Sequence, residues 1–178
     1  MAKRAYPLSK VYGLLEPGPV LLLTTAHKGR ANVMAMSWHT MMEFEPPLVG
    51  CIVSGRDFSF DALKATRQCV LNIPTVELKA KVVACGNTSG RRTDKFRLFG
   101  LTPEPAETVV APLIAECWAS LECRVVDTRL VNRYNFFVLE VQQAWIDPAC
   151  KDPRTLHHRG RGAFMVAGET IKLPSKMK

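Results

Sequence analysis

Residues 32–55 read NVMAMSWHTMMEFEPPLVGCIVSG, two apolar, strand-like runs on either side of a rigid turn. Pro46 and Pro47 fix φ and cannot donate backbone hydrogen bonds, so the chain there continues neither as a helix nor as a central strand. Ahead of them, Ser37, Trp38, His39 and Thr40 place one aromatic and three polar side chains inside an apolar run. Burying such groups costs stability unless they find partners. A flat ligand with polar edges supplies those partners.

On the amino-terminal side, residues 19–25 (PVLLLTT) form a short β-type run, and Ala26-His27-Lys28-Gly29-Arg30 gives the turn that leads into 31–37. This hairpin pattern puts His27 at a solvent-exposed tip. On the carboxyl side, 48–54 is apolar enough to be a central strand. After Gly55, either Asp57 or Ser59 caps a helix carrying Phe60, Leu63 and Arg67 at helical spacing. Ser54, Arg56, Ser59 and the free N–H groups of that helix together offer donors to an anion. Residues 70–73 make a strand stopped by Pro74, and Thr75 opens a second helix with Val76, Ala80, Val83 and Ala84 on one face, ending at Gly86. The loop 87–96 (NTSGRRTDKF), with Ser89, Gly90 and Lys95, is a second candidate anion clamp.

Residues 98–112 read as irregular connection. Beyond them, 117–126 alternates with period two and one core face, Cys117, Ala119, Leu121, Cys123 and Val125. Residues 134–146 repeat the pattern through Phe137, Leu139, Val141 and Trp145, with Val131-Asn132-Arg133 as a hairpin connection. A final strand spans 163–167. Six or seven strands with a helical insertion over about 57–100 give a mainly β chain with helices (α+β), an antiparallel, nearly closed barrel with helices outside.

The 178 residues suit one domain, 1–178, and 47% hydrophobic content is ordinary for a globular chain. No apolar run approaches the roughly 20 residues of a membrane helix. A cytoplasmic location and no membrane partner are therefore expected. Six cysteines include no pair two residues apart, which argues for free thiols and against a zinc or iron–sulfur site. The net charge of +8 favours an anionic partner. Its cations gather at 91–97 and at 157–161 (HHRGR), with a weak basic tail over 172–178, and two local clusters suit a small polyanion better than a long phosphate backbone. Because the aromatics alternate into core faces, no nucleic-acid partner is expected. The chain carries no G-x-G-x-x-G fingerprint and no Ser-His-Asp or Cys-His signature.

Taken in order, the 32–37 strand, the acidic-Pro-Pro turn, the apolar strand ending in Ser54, the 88–95 loop and the basic-Gly segment near the carboxyl end resemble the flavin reductase-like, FMN-binding split-barrel family. Within it, the flavoredoxin branch is the nearer match. The resemblance implies a split β-barrel that holds FMN noncovalently near a homodimer interface, with both subunits lining the site. It also implies an oxidoreductase passing electrons from NAD(P)H or a protein redox partner. By position, Met36, Ser37, Trp38, His39 and Thr40 follow the edge of the isoalloxazine beside the Asn32 strand, and Cys51, Ile52 and Val53 lie in the strand behind it. Ser54, Arg56, Ser59 and Phe60 hold the ribityl chain and phosphate, and Ser89, Gly90 and Lys95 close over the phosphate. His157, His158 and Arg159 contribute from nearby or from the partner subunit. No catalytic residue is assigned, because the flavin carries the redox chemistry. The alternative reading is a nonenzymatic flavin-binding or storage module.

Overall fold

Leu21 to Thr25 are buried without interruption, and a strand with no exposed face needs cover on both sides. The computed structural model, which describes residues 3–15 and 18–174, supplies that cover with a curled sheet inside and helices outside. Its strands are β1 (Arg4–Ala5), β2 (Leu21–His27), β3 (Arg30–Met36), β4 (His39–Glu43), β5 (Leu48–Ile52), β6 (Gln68–Ile73), β7 (Pro103–Glu104), β8 (Leu113–Ile114), β9 (Ala119–Asp127), β10 (Phe136–Ile146), β11 (Leu156–Gly160) and β12 (Ala163–Val166). Its α-helices are α1 (Tyr12–Leu15), α2 (Phe58–Thr66), α3 (Lys79–Asn87), α4 (Lys95–Phe99) and α5 (Val131–Tyr134).

The main sheet is antiparallel in the order β3-β2-β6-β9-β10-β5-β4, with β1 added to β10. β3 and β4 stand at opposite ends of that order, yet only Ser37 and Trp38 join them. The three Cα–Cα steps from Met36 to His39 reach no more than about 10 Å, so the two edges must approach each other at this link and the sheet must curl. Among the described residues β3 and β4 share no ladder, which makes the barrel split rather than closed. Inside the curl pack Leu21, Leu23, Cys69, Leu71, Leu121, Cys123, Phe137 and Leu139. Outside, α3 and α4 bury Leu78, Val82, Cys85 and Phe96 against Leu22 and Val33.

Several local expectations are corrected. The main sheet has eight strands, because short β1 was invisible to periodicity and β10 is long enough to pair with both β5 and β1. Residues 98–112 contain the end of α4 and open the β7–β8 pair. Cys117 precedes β9 and packs in the outer cluster, while Cys123 faces the barrel interior. A register shift between Val141 and Gln143 turns Ala144 inward, so Trp145 packs outside beside Val70. The connection before β10 is the helical turn α5, ended by Asn135 in the left-handed region at φ 56°. On α3 the buried face is Val82 and Cys85, with Ala80 and Val83 exposed, a phase shift set by the 3-10 turn Val76–Leu78 that precedes the helix. Among the described residues β12 pairs only with β11, in a separate two-stranded sheet. Of the basic tail, residues 175–178 lie outside the described residues, as do residues 1, 2, 16 and 17.

Candidate functional site

As an edge strand among the described residues, β3 leaves one row of its backbone N–H and C=O groups without a strand neighbour there. A groove runs along it. One part, of ≈300 Å³, is lined by Val20, Ala35, Met36 and Ser37, by Val82 and Val83 of α3, and by His158 and Phe164 of the β11–β12 hairpin. The next part, of ≈320 Å³, is lined by Asn32, Met34, Arg56, Asp57, Phe58, Ser89, Gly90 and Lys95. Ala35, Gly86 and Asn87 border both, so the two form one continuous groove with an apolar and a polar end. This is the shape and polarity that a planar apolar body with an anionic tail requires.

Tight packing holds the polar end. Asn32 is buried and donates from Nδ2 to Ser59 Oγ at 2.9 Å. Against this fixed amide and the Phe58 ring lies Gly90, where an added Cβ would stand 2.6 Å from Asn32 Cγ and 2.8 Å from Phe58 Cδ1. Arg30 clamps the same loop: its guanidinium donates to Gly90 O at 2.5 Å and to Arg91 O at 3.0 Å while lying 5.0 Å over Phe58. Asp57 occupies the N-cap position of α2 without a side-chain cap bond, and Phe60 N donates to Asp57 O at 3.1 Å, which leaves the N–H groups of Phe58 and Ser59 without an intrahelical acceptor beside the cleft. Ser59, the other capping candidate, is instead buried in the first turn as the partner of Asn32.

Lys95 is 3% exposed and donates to Cys85 O at 3.0 Å and Thr88 O at 2.9 Å, tying the end of α3 to the loop that follows. An ammonium has three donors, and these bonds use two. Burial pulls the Lys95 pKa down, against the opposing fields of Cys85 and Asp57. An anion in the cleft would favour the charged form and oppose that downward shift. Burial pushes the neighbouring Cys85 thiol up to about 11, so no thiolate forms there at neutral pH.

The groove thus gathers Asn32, Met36, Ser37, Arg56, Ser89, Gly90, Lys95 and His158 from the expected set. Trp38, His39, Thr40 and Ile52 line a separate shallow cleft of ≈220 Å³ with Gly50 and Phe136, because the chain crosses from one sheet edge to the other at Ser37–Trp38. His39 is a half-buried imidazole whose Nε2 lies 2.7 Å from Pro19 O, and burial holds its pKa below the ordinary value. Cys51 and Val53 are fully buried in the barrel interior, and Phe60 packs edge-on against Phe137 there. Ser54 Oγ accepts from Arg56 N at 3.2 Å, shaping the strand-to-helix turn, and Arg159 is solvent-exposed. His27 is half-buried at the hairpin tip rather than exposed.

Sequence reasoning missed Arg30, Phe58, Val82 and Phe164. Arg30 was legible in principle, since it sits two residues before Asn32 on one strand and shares its face. Phe164 carried no local signal: its place beside His158, with ring centroids 5.1 Å apart, depends on the β11–β12 pairing.

Comparison with known proteins matches the model of the flavin reductase like domain to residues 14–164. The Escherichia coli protein YddH is 31% identical over 172 residues, covering 89% of this chain and 91% of its own. A crystal structure described as an FMN-binding domain of a flavin reductases-like enzyme from Shewanella baltica superposes with a TM-score of 0.89 at 26% identity, over 97% of this chain and 98% of that one. Flavoredoxin from Methanosarcina acetivorans gives a TM-score of 0.76 at 29% identity, over 89% of both chains.

Proposed function

The chain belongs to the flavin reductase-like domain family, and from that premise we propose that it is an FMN-dependent oxidoreductase. In this reading FMN is held noncovalently in the groove along β3, and electrons arrive from NAD(P)H or a protein donor. One observation carries it: the apolar and polar clefts meet at Ala35, Gly86 and Asn87, so a single ligand with a planar body and an anionic tail fits both. Bound there, FMN would supply the redox chemistry, accepting a hydride or passing electrons singly. Val82 and Phe164 would pack against the ring and exclude water from that side. Ser37 and the open backbone edge of β3 offer hydrogen bonds to its polar rim, and His158 stands beside it. Arg56, Ser89, Lys95 and the first N–H groups of α2 hold the phosphate, with Arg30 keeping the loop closed over it.

A second copy of the chain completes the assembly in this proposal, as a homodimer. β4 is the other unpaired edge, and beside it Trp38 is 68% and Met42 48% exposed. All six cysteines are free, which suits the cytoplasm.

The test is an anaerobic absorbance titration with FMN, then with NADH, NADPH and dithionite in separate cells. Stoichiometric FMN binding followed by prompt bleaching with a nicotinamide supports a reductase. Bleaching by a reduced protein carrier but not by a nicotinamide assigns an electron carrier. Bound flavin that only dithionite reduces marks a storage module, and absence of FMN binding overturns the proposal.

A further inference from the structure

At the amino-terminal end of α3, away from the groove residues in its later turns, lies another cleft of ≈400 Å³. The 3-10 turn Val76–Leu78, the 115–118 turn and the 147–154 loop between β10 and β11 enclose it, and it shares no lining residue with the groove along β3. Four acidic side chains line it, Glu77, Glu116, Asp147 and Asp152, although the chain as a whole carries a net charge of +8. Asp147 is the decisive one. It is 3% exposed, its Oδ1 accepts from Ala149 N at 2.9 Å, and its Oδ2 has no hydrogen-bond partner among the described residues. A carboxyl buried to this degree needs a donor or a cation for its second oxygen, and the cleft is the space from which one can reach it.

The surrounding carboxylates are not neutralised within the fold. Among the described residues the one ion pair is Asp127 with Arg129. Lys3 Nζ donates instead to Ile114 O at 2.5 Å and Ala115 O at 3.3 Å, and Arg154 lines the cleft without reaching a carboxylate at ion-pair distance. The Thr75 hydroxyl holds the Glu77 carboxyl below its ordinary value. At Glu116 burial works the other way, but bonds from Thr102 outweigh it and hold that carboxyl down as well. Cys150 adds no charge, because burial, with Asp147, Glu77 and Asp152 around it, pushes its thiol up. Three carboxylates acting on one thiol face one space.

The spread of these charges selects the occupant. Among the described residues no three carboxylate, thiol or imidazole groups stand close enough to hold one metal ion. Leu78 and Trp118 lie between the acids. Trp118 Nε1 is buried, so the indole offers the cleft its carbon framework, which packs methylene groups and attracts ammonium ions. The volume suits a small organic molecule rather than a bare ion.

We propose that this cleft binds a linear aliphatic diamine. One ammonium donates to Asp147 Oδ2, the methylene chain lies along Trp118 and Leu78, and the second ammonium sits between Glu77 and Asp152 at the exposed rim. Binding there is independent of whether the groove holds FMN.

Calorimetry of the full chain with 1,4-diaminobutane, n-butylamine and magnesium chloride, all at one ionic strength, reads the outcome. The diamine should bind saturably, one per chain, and at least about tenfold more tightly than the monoamine, while magnesium gives no saturable heat. Asp147→Asn keeps an oxygen for Ala149 N, removes the charge, and should weaken the diamine at least about tenfold. Glu77→Gln with Asp152→Asn changes two exposed side chains that the core does not need, so this variant folds even where Asp147→Asn does not. It should bring the diamine down to the affinity of the monoamine. No saturable diamine binding, equal binding of diamine and monoamine by the unaltered protein, magnesium binding in competition with the diamine, or diamine affinity unchanged in the rim variant overturns the proposal. FMN titrations of the same samples report separately on the groove.

Discussion

Gly90 has no room for a side chain. The Asn32 amide it abuts is buried and bonded to Ser59, and the Phe58 ring is covered by Arg30, so neither neighbour yields to an added methyl. Gly90→Ala is therefore expected to push the 88–91 loop off the cleft. The stability loss should be about 1–3 kcal/mol, the usual range for overpacking. FMN affinity should drop about tenfold, or about 1.4 kcal/mol. Chemical denaturation and a fluorescence titration check the two effects, and an unchanged FMN affinity would separate Gly90 from the binding site. Sequence reading reached Gly90 through its place in a polar loop. What makes it irreplaceable, the contact with a strand 58 residues earlier, is a tertiary fact.

Among the elements, β9 departs most from its pattern. Period-two alternation assigns Ser120 and Glu122 to solvent, yet both are fully buried. The segment leading from β7 to β8 folds over them, and Glu122 anchors it by accepting from Glu107 N at 3.0 Å, Thr108 N and Oγ1 each at 2.6 Å, and Trp145 Nε1 at 2.8 Å. Burial alone would raise the Glu122 pKa, but these four donors outweigh it and hold the carboxyl below its ordinary value. With the folded value depressed, the stabilisation is present above the unfolded pKa of about 4.3 and is lost as pH falls through the folded value. Glu122→Gln places an amide NH2 against N–H donors and should cost about 1–3 kcal/mol at pH 7. Urea midpoints of the two proteins should converge below about pH 4. A constant gap across that range would show that the carboxylate charge is not what holds the loop.

At the scale of the whole molecule, the link Ser37–Trp38 does most to shape the site. By joining opposite ends of the sheet it leaves two open edges, one along the groove and one along β4. Exposed apolar side chains beside an unpaired edge invite strand or face pairing unless another chain covers them. If the proposed homodimer forms there, sedimentation equilibrium should give twice the chain mass of 19.8 kDa. Trp38→Lys should then shift the protein toward the monomer without unfolding it. A monomer in the unaltered protein at micromolar concentration would rule the homodimer out.

Local chemistry was enough to determine the β-rich architecture, the turn at Pro46-Pro47, the strand-to-helix turn at 54–59 and the two basic clusters, because alternation, φ restriction and charge act within a few residues. Part of the candidate site was legible for the same reason: Arg56, Ser89, Gly90 and Lys95 announce themselves as donors or as room for a backbone. Tertiary structure alone decided which of Met36 to Thr40 share a cleft, that Cys51 and Val53 face inward, that α3 turns Val82 rather than Ala80 to the core, and that Phe164 belongs to the groove. Those outcomes depend on which strand edges meet and on the register of a hairpin. Both are fixed by packing between residues far apart in the chain, and no window of sequence contains that information.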